Sequence, residues 1–279
     1  MSEFCLRADG LSKNYGKVEA LKGADFYVRK GAITCFLGEN GAGKTTAIKC
    51  VLGFLRCDSG RVEVERGKTG YVPEYPEFFN WLEGEEILLY TAKLFGIPEE
   101  RLRREIDDMS ERLAFDIEQL SRKVHTYSLG NRKKFSYLQS LVISPDFLVV
   151  DEPFYSLDPI SIKKVRELFV FLKGRGASLF LSSHLIAEVE KIADEVIIIK
   201  KGTILIQENL QELRKNYLFV RLPVEWTDRE RLGEYSKFVR EREGRFELVV
   251  EKARLGALGE FLDEESKEIT LEKLFLFFH

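Results

Sequence analysis

Gly38-Glu39-Asn40-Gly41-Ala42-Gly43-Lys44-Thr45-Thr46 is the stretch that decides the fold. It satisfies G-x-x-x-x-G-K-[ST] and stands between an apolar run, Ile33 to Leu37, and a helical pattern expected over Gly43 to Phe54. Strand, glycine loop, helix is the order that a phosphate-cradling loop requires. Gly41 and Gly43 let the backbone curl around an anion with no Cβ in the way, so that successive N–H groups and the helix N-terminus aim at a β-phosphate. Lys44 then reaches the β- and γ-phosphates, and the Thr45 hydroxyl is suited to hold Mg²⁺.

Apolar patterning extends the α/β reading in both directions. Phe147 to Val150, Ala177 to Leu181 and Val196 to Ile199 are, like Ile33 to Leu37, short apolar runs bounded by turn residues. Four such strands, buried on both faces, predict a mainly parallel sheet between helices. Ile162, Val165, Phe169 and Leu172 mark an amphipathic helix closed by Gly174 and Gly176. Upstream, Phe4 to Ala8 and Ala24 to Val28 read as short strands punctuated by Gly16, Gly23 and Gly31, while Arg61 to Glu65 and Thr69 to Val72 return to strand before Pro73 and Pro76. From about 81 to 143 the pattern is helical. Ile87, Thr91, Leu94 and Phe95 share one face, and Leu102, Ile106, Met109 and Leu113 recur at spacings of four, three and four. The charged run Glu99 to Arg112 forms the wet side of that second helix.

After Lys215 the texture changes. Tyr217 to Leu222 and Arg245 to Val250 read as strands, and Asp228 to Tyr235, Arg254 to Leu262 and Thr270 to Phe278 as short helices. The expected division is residues 1–215 as one domain, with a helical insertion at about 81–143, and residues 216–279 as a small α+β accessory domain with its own modest core.

Composition narrows the function. A net charge of −3 over 279 residues argues against a protein whose main work is neutralising a nucleic-acid backbone. Cys5, Cys35, Cys50 and Cys57 show no C-x-x-C spacing and no neighbouring histidines, so they suggest neither a zinc site nor a redox pair and fit a reduced, cytoplasmic protein. The N-terminal MSEFCLRADG has no signal pattern, and no apolar run approaches the roughly 18 residues needed to cross a bilayer.

Further segments fall in order behind the phosphate loop, and together they resemble the nucleotide-binding subunit of an ATP-binding cassette (ABC) transporter over about residues 3 to 214. Phe147-Leu148-Val149-Val150-Asp151-Glu152-Pro153 is an apolar strand ending in two carboxylates. The resemblance implies Asp151 at the outer sphere of the metal and Glu152 as the base that takes a proton from the attacking water. Ser182-Ser183-His184 stands where the family carries its switch histidine, which implies a hydrogen bond from His184 to the γ-phosphate. Ser156-Leu157-Asp158 is similar to the loop that signals across the dimer, and Asp158-Pro159 is also a good helix start. Tyr15 matches the aromatic that stacks on adenine.

Tyr127-Ser128-Leu129-Gly130-Asn131 stands where the family usually has LSGGQ, followed by the basic run Arg132, Lys133 and Lys134. Ser128 and Gly130 are retained, while Leu129 replaces a glycine, which puts a side chain beside a close backbone contact. Glu74, in Gly70-Tyr71-Val72-Pro73-Glu74, stands where the family commonly has glutamine, and its carboxylate is an equally hard oxygen ligand. The resemblance therefore implies a P-loop NTPase fold with an antiparallel β subdomain and ATP with Mg²⁺ as cofactors. It implies nucleotide contacts from Tyr15, Asn40, Gly41, Gly43, Lys44, Thr45, Thr46, Ser128, Gly130 and Asp158, and metal contacts from Thr45, Glu74 and Asp151.

It also implies partners: a second cassette, identical or not, joined on ATP binding, and a separate transmembrane permease docked near Glu74 and the helical block. That places the chain in the cytoplasm, peripheral on the inner face of the membrane, with no nucleic-acid partner. Glu268-Ile269-Thr270-Leu271-Glu272-Lys273-Leu274-Phe275 looks like the closing helix of exporter-type cassettes. Two alternatives stand beside transport. One is a soluble ABC-type ATPase acting on nucleic acid or ribosomes, and the other an ATP-binding regulatory module of weak hydrolysis, suggested by Leu129.

Overall fold

The computed structural model describes residues 3–223, 236–253 and 267–278. Its centre is a six-stranded sheet. In spatial order it runs β5 (Thr69–Val72), β6 (Phe147–Asp151), β7 (Ser178–Ser183), β3 (Ile33–Leu37), β8 (Glu195–Lys200) and β9 (Thr203–Asn209). All neighbours are parallel except β8 and β9, which pair antiparallel.

Strand alternation explains why the four central runs are largely apolar. Ile33, Cys35 and Leu37, with Leu148, Val150, Leu179, Leu181, Val196 and Ile198, point into one core. The residues between them, Phe36, Phe147, Val149, Phe180, Ile197 and Ile199, point into a second. The second core is closed by α1 (Lys44–Val51) and by an antiparallel sheet ordered β2 (Val18–Arg29), β1 (Phe4–Tyr15), β4 (Ser59–Val64). Phe26, Phe36 and Phe180 stack at its centre with ring centroids 5.4–5.9 Å apart.

β1 and β2 are twelve residues each, much longer than the segments expected from sequence. Gly10 and Gly23, both at φ 61°, sit at irregularities where the pairing shifts and then continues. Helix α1 ends three residues earlier than expected, because Gly53 at φ 73° turns the chain out of it.

The other core face is covered by α2 (Gly84–Leu94), α3 (Glu99–Leu113), α4 (Leu129–Leu141) and α5 (Pro159–Gly174). Leu102, Ile106, Met109 and Leu113 are buried as their spacing requires, and the charged face of α3 carries the ion pairs Arg103–Glu99 and Arg112–Asp108. On α2 the expected face is only half right. Ile87 is buried, but Leu94 is 84% and Phe95 47% exposed at the helix end.

Beyond α6 (Ile186–Val189) and α7 (Leu210–Asn216) lies a four-stranded antiparallel sheet. Its order is β11 (Ser236–Arg242), β12 (Arg245–Glu251), β10 (Tyr217–Pro223) and β13 (Lys267–Glu268), and α8 (Leu271–Phe278) follows it. Val220, Leu222, Phe246, Leu248 and Val250 make a small core of their own on one face. On the other, Phe219, Val249, Ile269, Leu271, Leu274 and Phe277 continue the large core of the main sheet. The helices expected at 228–235 and 254–262 fall outside the described residues, and no described helix is long and apolar enough to cross a membrane.

Candidate nucleotide-binding site

The loop between β3 and α1 is shaped by close approaches that only glycine permits. A Cβ on Gly38 would lie 2.6 Å from the Ile199 carbonyl oxygen, and one on Gly43 would lie 2.4 Å from that of Ala20. Gly43 also has φ 109°, in the left-handed region, at the position that opens α1.

The loop borders a cleft of about 750 Å³. Asn40, Gly41, Gly43, Lys44, Thr45 and Thr46 line it from below, Tyr15 from the end of β1, Glu74 from the loop after β5, and Glu152 from the loop after β6. Tyr15 is 49% exposed beside the turn at Gly16, free to offer a ring face to a flat ligand. Lys17, Lys22, Lys201 and Tyr75 also line the cleft. Sequence reasoning missed them, since single lysines and a tyrosine at scattered positions carry no pattern. The Tyr75 hydroxyl is held above the usual tyrosine range by hydrogen bonding with Tyr155 and then with Glu74.

Charge in the cleft is arranged as a relay. The buried Lys44 ammonium donates to the carbonyls of Gly38 at 2.6 Å and Glu39 at 3.2 Å, and lies 3.5 Å from Glu152 Oε1. The other Glu152 oxygen is 2.8 Å from Nδ1 of the exposed His184. Glu152 itself sits at φ 46°, an uncommon conformation for a residue with a side chain, and is pinned there by its N–H on the carbonyl and hydroxyl of Ser182, each at 3.1 Å. That hydroxyl in turn donates to Asp151 Oδ1. Asp151 is 1% exposed, behind the cleft wall rather than on it.

Ser128, Gly130 and Asp158 do not line the cleft. Ser128 caps α4 by accepting from the Asn131 N–H at 3.2 Å, and Asp158 caps α5 by accepting from Ile160 and Ser161. Gly130 lies against the neighbouring loop, where a Cβ would meet the Ser156 carbonyl oxygen at 3.0 Å, and Leu129 is 64% exposed between them. The basic run after them divides. Arg132 donates to the His125 carbonyl and Lys134 to that of Ala114, whereas Lys133 is 1% exposed and donates to Pro73 and Asp151. Burial lowers the Lys133 ammonium to about 7 against the opposing pull of Asp151, Glu74 and Glu152.

The hydroxyl of Thr45 and the carboxylates of Glu74 and Asp151 are hard oxygen donors that suit Mg²⁺, an ion usually bound through one or two carboxylates together with the phosphates of its nucleotide. Among the described residues no three carboxylate, histidine or cysteine side chains form a closed metal cage, and binding of that kind needs none.

Comparison with known proteins agrees with this geometry. The ABC transporter family pattern matches residues 21–155. The uncharacterised ABC transporter ATP-binding protein YcbN of Bacillus subtilis is 33% identical over 224 residues, covering 76% of this chain and 71% of its own. The bacitracin transport ATP-binding protein BcrA of Bacillus licheniformis is 33% identical over 232 residues, covering 78% and 74%. Among solved structures, an ATP-binding subunit of an ABC transporter superposes with a TM-score of 0.70 at 28% identity, over 76% of this chain and 92% of that one. CbiO1 of Clostridium perfringens, part of the CbiONQ transporter complex, gives 0.65 at 26% identity, over 76% and 91%. With its phosphate loop and Glu152 carboxylate facing one cleft, the chain belongs to the ATP-binding subunits of ABC transporters, a family of ATPases.

Proposed function

We propose that this chain hydrolyses ATP with Mg²⁺ to drive a separate membrane permease, as part of an exporter. The observation that carries the site assignment is the contact of Lys44 with Glu152 at 3.5 Å on the wall of the glycine-loop cleft, with His184 held 2.8 Å from the other Glu152 oxygen. The loop amides and Lys44 grip the β- and γ-phosphates, and Tyr15 stacks on the adenine. Thr45 and Glu74 on the cleft wall would hold Mg²⁺, with Asp151 behind them at its outer sphere, and the ion would supply neutralisation of phosphate charge. Glu152 takes a proton from a water held in line by His184. The water oxygen bonds to the γ-phosphorus as the bond to the bridging oxygen breaks, leaving ADP and phosphate.

Ser128 and Gly130, away from the cleft of their own chain, serve the nucleotide of a second cassette, and Asp158 lies at that seam. Two ATP molecules thereby join two cassettes head to tail, and hydrolysis parts them. The permease docks beside Glu74, on a groove of about 770 Å³ lined by Phe79, Trp81, Tyr90 and Leu94, each more than half exposed. Such docking holds the chain at the inner face of the membrane. Export as the direction rests on the likeness of the segment Glu268 to Phe275, which enters α8, to a helix of exporter-type cassettes. A second reading, a regulatory module of weak hydrolysis, has the exposed Leu129 in its favour.

The test is Glu152→Gln on a sizing column. With ATP and Mg²⁺ it accumulates dimers that wild type forms only transiently. A variant that stays monomeric at saturating ATP overturns the head-to-tail arrangement.

A further inference from the structure

One face of α4 carries more than its N-terminus suggests. Lys133, Tyr137 and Ser140 follow at helical spacings of four and three, so they lie on one stripe. Each ends on a backbone carbonyl of another element. Lys133 Nζ donates to Pro73 O at 2.8 Å and Asp151 O at 2.9 Å, the Tyr137 hydroxyl to Pro153 O at 2.8 Å, and the Ser140 hydroxyl to Tyr71 O at 2.6 Å. Those four acceptors are Tyr71 and Pro73 on one segment, Asp151 and Pro153 on another. All four lie at the ends of β5 and β6 or in the loops that leave them.

The acceptors also bracket the chemistry. Pro73 immediately precedes Glu74, and Asp151 and Pro153 flank Glu152. β5 and β6 are adjacent parallel strands, so both loops leave the sheet at the same edge, beneath α4. Lys133 is the one rung that holds both loops at once, and Lys133 and Tyr137 are both fully enclosed. A buried ammonium on a long stem is costly to keep, and a surface-facing helix face would not require it.

We propose that Lys133, Tyr137 and Ser140 act as a donor ladder that sets Glu74 and Glu152 against α4, with Lys133 the positioning residue for ATP turnover. When the Ser128 end of α4 engages the nucleotide of a second cassette, a shift of this helix moves both carboxylate-bearing loops together. Lys133 is buried away from the cleft lining, so it acts through these loops. The proposal rests on the reading of Glu152 as base and Glu74 as metal ligand.

The experiment uses the full chain as wild type, Lys133→Met, Lys133→Gln, Tyr137→Phe and Glu152→Gln. Thermal midpoint, binding of a fluorescent ATP analogue without Mg²⁺, and steady-state ATPase across Mg²⁺ concentrations are measured for each. Lys133→Met keeps the stem and removes the donor. It is expected to bind one nucleotide per chain with affinity within about twofold of wild type, lose about tenfold in kcat, and need more Mg²⁺ for half-maximal rate. Lys133→Gln, whose amide carries two N–H donors, recovers part of that rate.

Wild-type kcat and Mg²⁺ dependence in a folded Lys133→Met chain overturn the proposal. So does a rate loss that merely tracks loss of binding-competent protein. If Lys133→Met fails to fold, Tyr137→Phe decides: a lowered kcat with intact binding supports the ladder, and an unchanged kcat overturns it. Wild-type turnover by Glu152→Gln would instead overturn the underlying assignment of the base, whatever Lys133 does.

Discussion

Replacing Glu152 by glutamine should slow the enzyme and tighten its grip on nucleotide at the same time. The Lys44 ammonium lies 3.5 Å from Glu152 Oε1, with both side chains 7% exposed. At that distance the attraction is about 1.2 kcal/mol in a water-like medium and about 4.7 kcal/mol at an effective dielectric near 20. A triphosphate must draw Lys44 away from this carboxylate and must also approach the carboxylate with its own negative charge. Glutamine removes both costs while its side-chain oxygen still accepts from His184, 2.8 Å away in the native pair. Taking the low end of the range, affinity rises about tenfold, since about 1.4 kcal/mol is one decade.

With Glu152 as the proposed base, its loss should lower kcat by about 10² to 10⁴. Without nucleotide the sign is opposite: Lys44 keeps only its two carbonyl partners, and the thermal midpoint falls by about 2–4 °C for each kcal/mol lost. Two assays suffice, an equilibrium titration with a fluorescent ATP analogue and a thermal melt with and without ATP. Binding weaker than wild type, or an unliganded variant that melts later than wild type, would refute the charge competition drawn here between Glu152 and the triphosphate.

Leu129 is 64% exposed at the first position of α4, so Leu129→Gly removes little buried surface and costs about 1 kcal/mol or less in helix propensity. If its side chain obstructs closure on a second cassette, kcat rises in steady-state ATPase, and an unchanged kcat disposes of the obstruction. The cysteines offer a separate check on packing. Cys5, Cys35 and Cys50 are buried, and burial pushes the Cys50 thiol up to about 12, leaving Cys57 as the accessible one. A thiol reagent at pH 8 should label a single site quickly in the native chain and all four in denaturant, and Cys57→Ser should abolish the fast phase. A second fast site would mean that the core around α1 opens more readily than its packing implies.

Much of the site was legible before any coordinates because its information is contiguous. A loop that wraps phosphates must supply glycines, a lysine and a hydroxyl within a few residues, and Gly38 to Thr46 does so. A strand buried on both faces is apolar over most of its length, which made β3, β6, β7 and β8 readable. The carboxylate pair Asp151 and Glu152 was found because it ends such a strand, and His184 because it follows another. Local chemistry alone could not separate Lys133 from Arg132 and Lys134: three adjacent basic residues look alike until the packing of α4 buries one of them against carbonyls 18 and 60 residues away. Ser182 was given no role of its own for the same reason, its bond to Asp151 spanning 31 positions.

The long β1–β2 hairpin was hidden by glycines that act as bulges within paired strands, where in isolation they read as strand ends. At the other end of the chain, apolar spacing announced strands and a helix but not their destination. The amino-acid order thus determined which local shapes form and which chemical groups they carry, since these depend on near neighbours and periodicity. Which buried groups meet was decided only by the tertiary packing, because a lysine's partners and the shared core under β10 and α8 depend on distant segments arriving at the same place.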